Sequence, residues 1–176
     1  MLQYFMIEVH PFGNFVPPKV RYLMLGSFVT KPSHPYEWFY ANGRNQFWPI
    51  MEEVYGLQLD TKAKQQQLFI QLEMALADIV LSCERKKNSN LDINLVNCVY
   101  NTAIKDIIKK NKVKKIFFTS RYVETLFKKH FIDIVQQHPE VELICLPSPS
   151  PRYATMTKIQ KVIKYRELLP KLVGPI

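Results

Sequence analysis

The chain has 176 residues, 47% of them hydrophobic, and its 24 lysines and arginines against 15 acids leave a net charge of +9. That length suits one domain spanning residues 1–176 and holds two compact domains poorly; the apolar share is enough for a full core without disulfides or metal. No segment approaches the ~20 apolar residues of a membrane span, and the opening MLQYFMIEVHPFG lacks the basic head and apolar run of a signal peptide. The expectation is a soluble, cytoplasmic, monomeric protein with no membrane partner. Cys83, Cys98 and Cys145 lie far apart, as do His10, His34, His130 and His138. No metal site is expected from that spacing, and three thiols fall short of an iron–sulfur cluster with four thiolates. The positive balance suits a polyanionic partner, since each neutralised phosphate releases a counterion; it serves equally as a device for solubility.

Val20–Ser27 (VRYLMLGS) is a short apolar run that predicts a buried parallel strand. Asn45–Tyr55 reads as a helix, and so does Thr61–Leu76, where Leu68, Leu72, Ala75 and Leu76 recur at helical spacing. Asp78–Ser82 is a second short apolar run, Glu84–Asp92 (ERKKNSNLD) an exposed loop, and Asn101–Lys110 a helix. Lys109–Lys115 (KKNKVKK) reads as a solvated turn before the strand Lys115–Thr119. Tyr122–Phe131 is helical, Glu142–Leu146 a strand and Thr155–Leu169 the last helix. In that helix Met156, Ile159, Val162, Ile163 and Leu169 predict the buried face, with Lys158, Lys161 and Lys164 off it. The alternation argues for an α/β fold, a mainly parallel sheet with helices on both faces.

Such a sheet holds its ligands at the carboxyl ends of its strands, and two loops expected there carry unusual residues. The first, Gly26–Trp48, is long for a βα connection and contains Trp38, Phe39, Tyr40, Asn42 and Asn45. The second is Leu146–Ala154, LPSPSPRYA. Pro147, Pro149 and Pro151 stiffen an extended backbone, and Ser148 and Ser150 can reach phosphate oxygens. Arg152 precedes a helix N-terminus that can itself face a phosphate.

At these loops the chain resembles the uracil-DNA glycosylase superfamily. LPSPSPRYA is similar to its minor-groove loop, and FYANGRNQFW to the phenylalanine-to-tryptophan segment of the mismatch-specific branch. With LMLGSF and HPFGNFVPP added, the resemblance runs from His10 to about Pro170 and is strongest to the hypoxanthine-DNA glycosylase group. It implies a three-layer α/β/α sandwich with a short central sheet, and a damaged or mismatched DNA duplex as partner. It implies hydrolysis of the N-glycosidic bond of a flipped base, with water as nucleophile and no cofactor. Asn45 is then the catalytic residue that holds water, and Tyr40 stacks on the base. Gly26, Ser27, Phe28 and Asn42 line the base pocket, while Pro147, Ser148, Pro149, Ser150 and Arg152 meet DNA. The chain also departs from the pattern. Neither an acid nor an amide follows Gly26 directly, Leu146 stands where the uracil enzymes have histidine, and Thr119-Ser120 replaces an Asn-Gly pair.

From the residues alone, each role has a plain counterpart. Asn45 can cap a helix beginning at Gln46, Tyr40 and Trp48 can pack in the core, and Gly26 can permit close backbone approach. Arg152 is either a wedge in the groove or a phosphate contact. For the whole protein, the alternatives are a catalytically inactive binder of damaged DNA and a small α/β protein that binds nucleotide or flavin. The latter would lack both G-x-G-x-x-G and a P-loop.

Overall fold

Four short apolar strands, with side chains pointing alternately to opposite faces, set up the centre of the molecule. The computed structural model describes residues 6–29, 38–87, 89 and 91–172. Residues 30–37 of the expected long loop lie outside the described residues. Chain order runs β1 (Ile7–Val9), β2 (Tyr22–Gly26), α1 (Phe47–Tyr55), α2 (Lys62–Gln71), β3 (Met74–Asp78) and β4 (Val80–Arg85). A 3-10 turn (Asp92–Asn94) leads into β5 (Leu95–Tyr100), then α3 (Ala103–Asn111), β6 (Lys115–Phe118) and α4 (Arg121–His130). The chain continues with α5 (Ile132–Gln137), β7 (Glu142–Cys145) and α6 (Lys158–Leu168).

The central sheet is parallel, in the order β3-β2-β6-β7. Leu23 lies between Ala75 and Ile116, and Leu25 between Ala77 and Phe118. These residues meet Ile104 and Ile107 of α3, Val123 and Phe127 of α4 and Ile134 of α5. Met24, Leu76 and Phe117 point the other way, onto Phe47 and Met51 of α1, Phe69 of α2 and Val162 and Tyr165 of α6. The result is the expected three-layer α/β/α sandwich. Burial on both faces explains why β2 reads as an unbroken apolar run rather than an alternating one. Local chemistry starts the helices. Ser120 accepts from the Val123 amide at the head of α4, and Thr157 and Gln160 form a capping box at the head of α6. None of the described helices is long and apolar enough to cross a membrane.

A smaller antiparallel sheet, β1-β4-β5, stands beside the first. β3 and β4 are separated only by Ile79, so the chain turns directly from one sheet into the other at Asp78.

Three expectations are corrected here. The helix expected over Thr61–Leu76 stops at Gln71, and Met74–Asp78 is a fully buried strand. Leu68, Leu72 and Leu76 keep helical spacing across the break, but Glu73 takes a left-handed φ of 52° and ends the helix with no glycine to announce it. The exposed loop expected at Glu84–Asp92 begins inside β4, where Arg85 is only 7% exposed. Its guanidinium bonds the Glu8 carboxylate and the Val29 carbonyl. The face expected for the last helix is also displaced. Ile159 and Ile163 are exposed, at 71% and 46%, whereas Lys161 is buried at 1% beside Val162 and Tyr165. β1, β5 and α5 are too short or too mixed in polarity to have been expected.

Candidate active site

At the carboxyl ends of β2 and β6 the chain leaves the sheet, and the vacated space is a cleft of about 740 Å³ including the part open to solvent. It gathers Ser27, Phe28, Tyr40, Asn42, Asn45, Ser148, Pro149 and Ser150 from the sequence expectation. Gly26 lies beneath. A side-chain carbon there would run into Asp78 Oδ1 and lie 2.6 Å from the Tyr40 hydroxyl. The glycine thus lets a carboxylate and a phenol close over the end of β2. Pro147 faces a neighbouring cleft with Arg121, Tyr153 and Lys164. Arg152 is exposed on the turn beyond, outside both clefts.

Two carboxylates, Asp78 and Asp92, also line the cleft, and sequence reasoning missed both. Asp78 is 6% exposed at the corner between the sheets, and its Oδ2 accepts from His10 Nε2 at 2.7 Å. Asp92 enters from the 3-10 turn and accepts from the Ser27 hydroxyl through Oδ1 at 2.8 Å. Burial, and then the Asp78 charge, hold the Asp92 carboxyl above its ordinary range despite the Ser27 bond. Asp78, at the end of β3, thus places a carboxylate oxygen against Gly26.

Tyr40 adopts a left-handed φ of 56° and stacks its ring on Phe47, 4.0 Å between centroids. Burial, followed by the Asp78 charge, pushes its phenol well above the usual value, so it stays neutral. Asn42 Oδ1 accepts from the Arg44 amide, and Asn45 Oδ1 accepts from the Phe47 amide at the start of α1. Asn45, one residue before the N-cap Gln46, therefore satisfies the first amide of α1 while lining the cleft. The amides of Ser27 and Phe28 make no backbone hydrogen bond among the described residues, and both residues line the cleft.

The fold has a counterpart among solved structures. A solution NMR structure from Methanosarcina acetivorans, of "a putative Uracil DNA glycosylase", superposes with a TM-score of 0.68 at 20% identity. The match covers 93% of this chain and 99% of that one. The fold is uracil-DNA-glycosylase-like. No protein-family model and no curated protein matches the sequence.

In this version of the fold the two rim segments are tied together. The Gln46 amide donates to Pro149 O at 2.9 Å. Buried Lys161 donates to Gln46 Oε1 and to Ser150 O, both at 3.0 Å, and lies over the Tyr153 ring. Tyr165 donates its hydroxyl to Pro147 O from the same helix. The loop's prolines restrict its backbone, and these bonds fix where it sits. Lys161→Met keeps the length but leaves two part-buried acceptors without this donor, at about 1–3 kcal/mol. The expected result is a Tm lower by roughly 2–4 °C per kcal/mol. An unchanged melt would mean that the cost of burying the ammonium cancels its bonds.

Proposed function

We propose that this protein is a monofunctional DNA glycosylase that flips a deaminated or mismatched base, of the hypoxanthine or uracil type, and hydrolyses its N-glycosidic bond in base-excision repair. The observation that carries the reading is the pair Asp78 and Asp92 in a cleft rimmed by the Pro-Ser-Pro loop. The likeness of fold supports it. On this reading the whole chain works as one domain and as a monomer, without metal or cofactor.

A base stacked in a duplex is out of reach, and rotating it out costs a few kcal/mol. The stiff loop Pro147–Arg152, pressed on the minor groove, helps to offset that cost. The extruded base stacks on Tyr40, whose other neighbour is Phe47. As the glycosidic bond lengthens, the sugar gains oxocarbenium character. The Asp78 carboxylate stabilises that cation and, with Asn45, orients the attacking water. The base leaves with negative charge, which the Ser27 and Phe28 amides meet. Asp92, whose carboxyl is raised toward protonation, can supply a proton to the departing base. No lysine lines the cleft among the described residues, which favours water over an amine as nucleophile. The inactive-binder alternative rested on the missing acid after Gly26 and loses that ground with Asp78 beside Gly26.

The test is incubation with duplexes carrying hypoxanthine, uracil, xanthine or a T·G mismatch, followed by alkali. Strand breakage at one or more lesions is expected. Binding without breakage would favour the inactive binder, and neither would overturn the DNA reading.

Arg152 is read here as the plug that fills the vacated stack. Arg152→Ala should then leave affinity for undamaged duplex nearly intact and slow cleavage of well-paired lesions most. Lesions in mismatches, already easier to extrude, should suffer less. A uniform affinity loss with a salt slope lower by about one would make it a phosphate contact instead.

A further inference from the structure

We propose that His10 is a positioning residue for the hydrolysis, holding the Asp78 carboxylate turned so that its second oxygen meets the cleft beside Gly26; this rests on the reading of the site just given.

Both ring nitrogens of His10 are engaged. Nε2–H donates to Asp78 Oδ2 at 2.7 Å, and Nδ1–H donates to the Phe12 carbonyl. A carboxylate and a carbonyl only accept, so a ring that donates to both carries two protons and a positive charge. The pair is buried, with both side chains 6% exposed. Phe12, Phe28 and Phe39 surround the imidazole at 4.8, 5.8 and 5.7 Å between centroids. A charged imidazole in that aromatic box needs a counter-charge, and the Asp78 carboxylate beside it supplies one. With Oδ2 committed, Oδ1 is left against Gly26. The pair also joins two parts of the fold, because His10 follows β1 of the small sheet and Asp78 closes β3 of the large one.

The pair gives the reaction a pH signature. Among the described residues the groups around it are Asp78 from β3, Asp92 from the 3-10 turn, Arg85 of β4 over the Phe28 ring at 6.0 Å, and the neutral Tyr40 phenol. Burial opposes the charged imidazole, but the Asp78 bond and charge, with the Phe12 carbonyl, outweigh it and raise His10 above its ordinary 6.5. Below that raised value both bonds stand. Above it the ring has one proton for two acceptors, one bond opens, and Asp78 loses either its orientation or its counter-charge. Cleavage should therefore fall along an alkaline limb set by His10.

The test is single-turnover cleavage from mildly acid to mildly alkaline pH, with duplex affinity, melting and the NMR titration of the His10 ring measured in parallel. His10→Gln keeps a donor that does not titrate, and should retain much of the neutral rate while losing the alkaline limb. His10→Phe suits the aromatic surroundings but cannot donate, and should lose on the order of 100-fold in rate with near-normal affinity. Asp78→Asn should lower the His10 pKa, because burial then acts on the imidazolium without the Asp78 charge against it. A folded His10→Gln variant that keeps the wild-type limb, or a folded His10→Phe variant at the wild-type rate, overturns the positioning role and leaves the glycosylase reading standing. A wild type that cleaves no lesion overturns both, and a ring titration still coupled to Asp78 would then assign the pair to stability alone.

Discussion

Asp78→Asn should cut single-turnover cleavage by about 10²–10⁴-fold while changing duplex affinity little. The substitution keeps size and shape, and the amide oxygen can still accept from His10 Nε2, so the corner between the sheets should survive. What is lost is negative charge beside the bond being broken. A neutral amide stabilises an oxocarbenium poorly and is a feeble base toward water. Asn45 can still orient water beside its bond to the Phe47 amide, but an uncharged amide does not replace the lost negative charge. Cleavage and affinity measured on the same lesion decide the matter. Parallel losses would point to a damaged fold, and an unchanged rate would leave the water to Asn45.

The second large effect is expected from Gly26→Ala, the smallest possible change. Its methyl would press on Asp78 Oδ1 and lie 2.6 Å from the Tyr40 hydroxyl. Neither neighbour gives way easily. Asp78 is fixed by His10, and Tyr40 by its stack on Phe47 at a left-handed backbone position. Overpacking of this kind costs about 1–3 kcal/mol, and any relief must come from moving the carboxylate or the stacking ring. Loss of cleavage should therefore accompany a lowered Tm. A variant that melts lower yet cleaves normally would show that the closure over Gly26 is not part of the machinery.

Much of this arrangement was legible in the sequence. β2 and β6 announce themselves because strands buried on both faces need consecutive apolar residues, β7 because Leu143, Ile144 and Cys145 form a short apolar run even at the sheet edge, and the Pro-Ser loop because proline at alternate positions has few uses. The unread parts share physical causes. β3 is MALAD, whose alanines and leucine favour a helix, and only the packing of both faces overrides that preference. Asp78 is hidden because in the sequence it heads the apolar run Asp78–Ser82, whereas in the fold it ends β3, where an acid suggests a site. Asp92 sat in a stretch whose lysines and asparagines look solvated, and nothing local reveals that the chain folds it back onto Ser27. Lys161 defied the helical wheel, because an ammonium satisfied by two acceptors can occupy a position that hydrophobicity assigns to leucine.

The passage from β3 to β4 through the single residue Ile79 bears on how the protein comes to be folded. A polypeptide that leaves one sheet and enters the next within one residue cannot complete the two as independent modules; each constrains the direction of the other. The ladder itself pairs Tyr22 with Lys115 and, beyond it, Lys115 with Glu142, so long stretches of chain must be drawn together before those contacts repay the lost entropy. His10, Gly26, Asp78, Asp92 and Ser148 meet only after that closure. An incompletely synthesised or partly unfolded molecule would hold none of this geometry, and base excision would be confined to the finished protein.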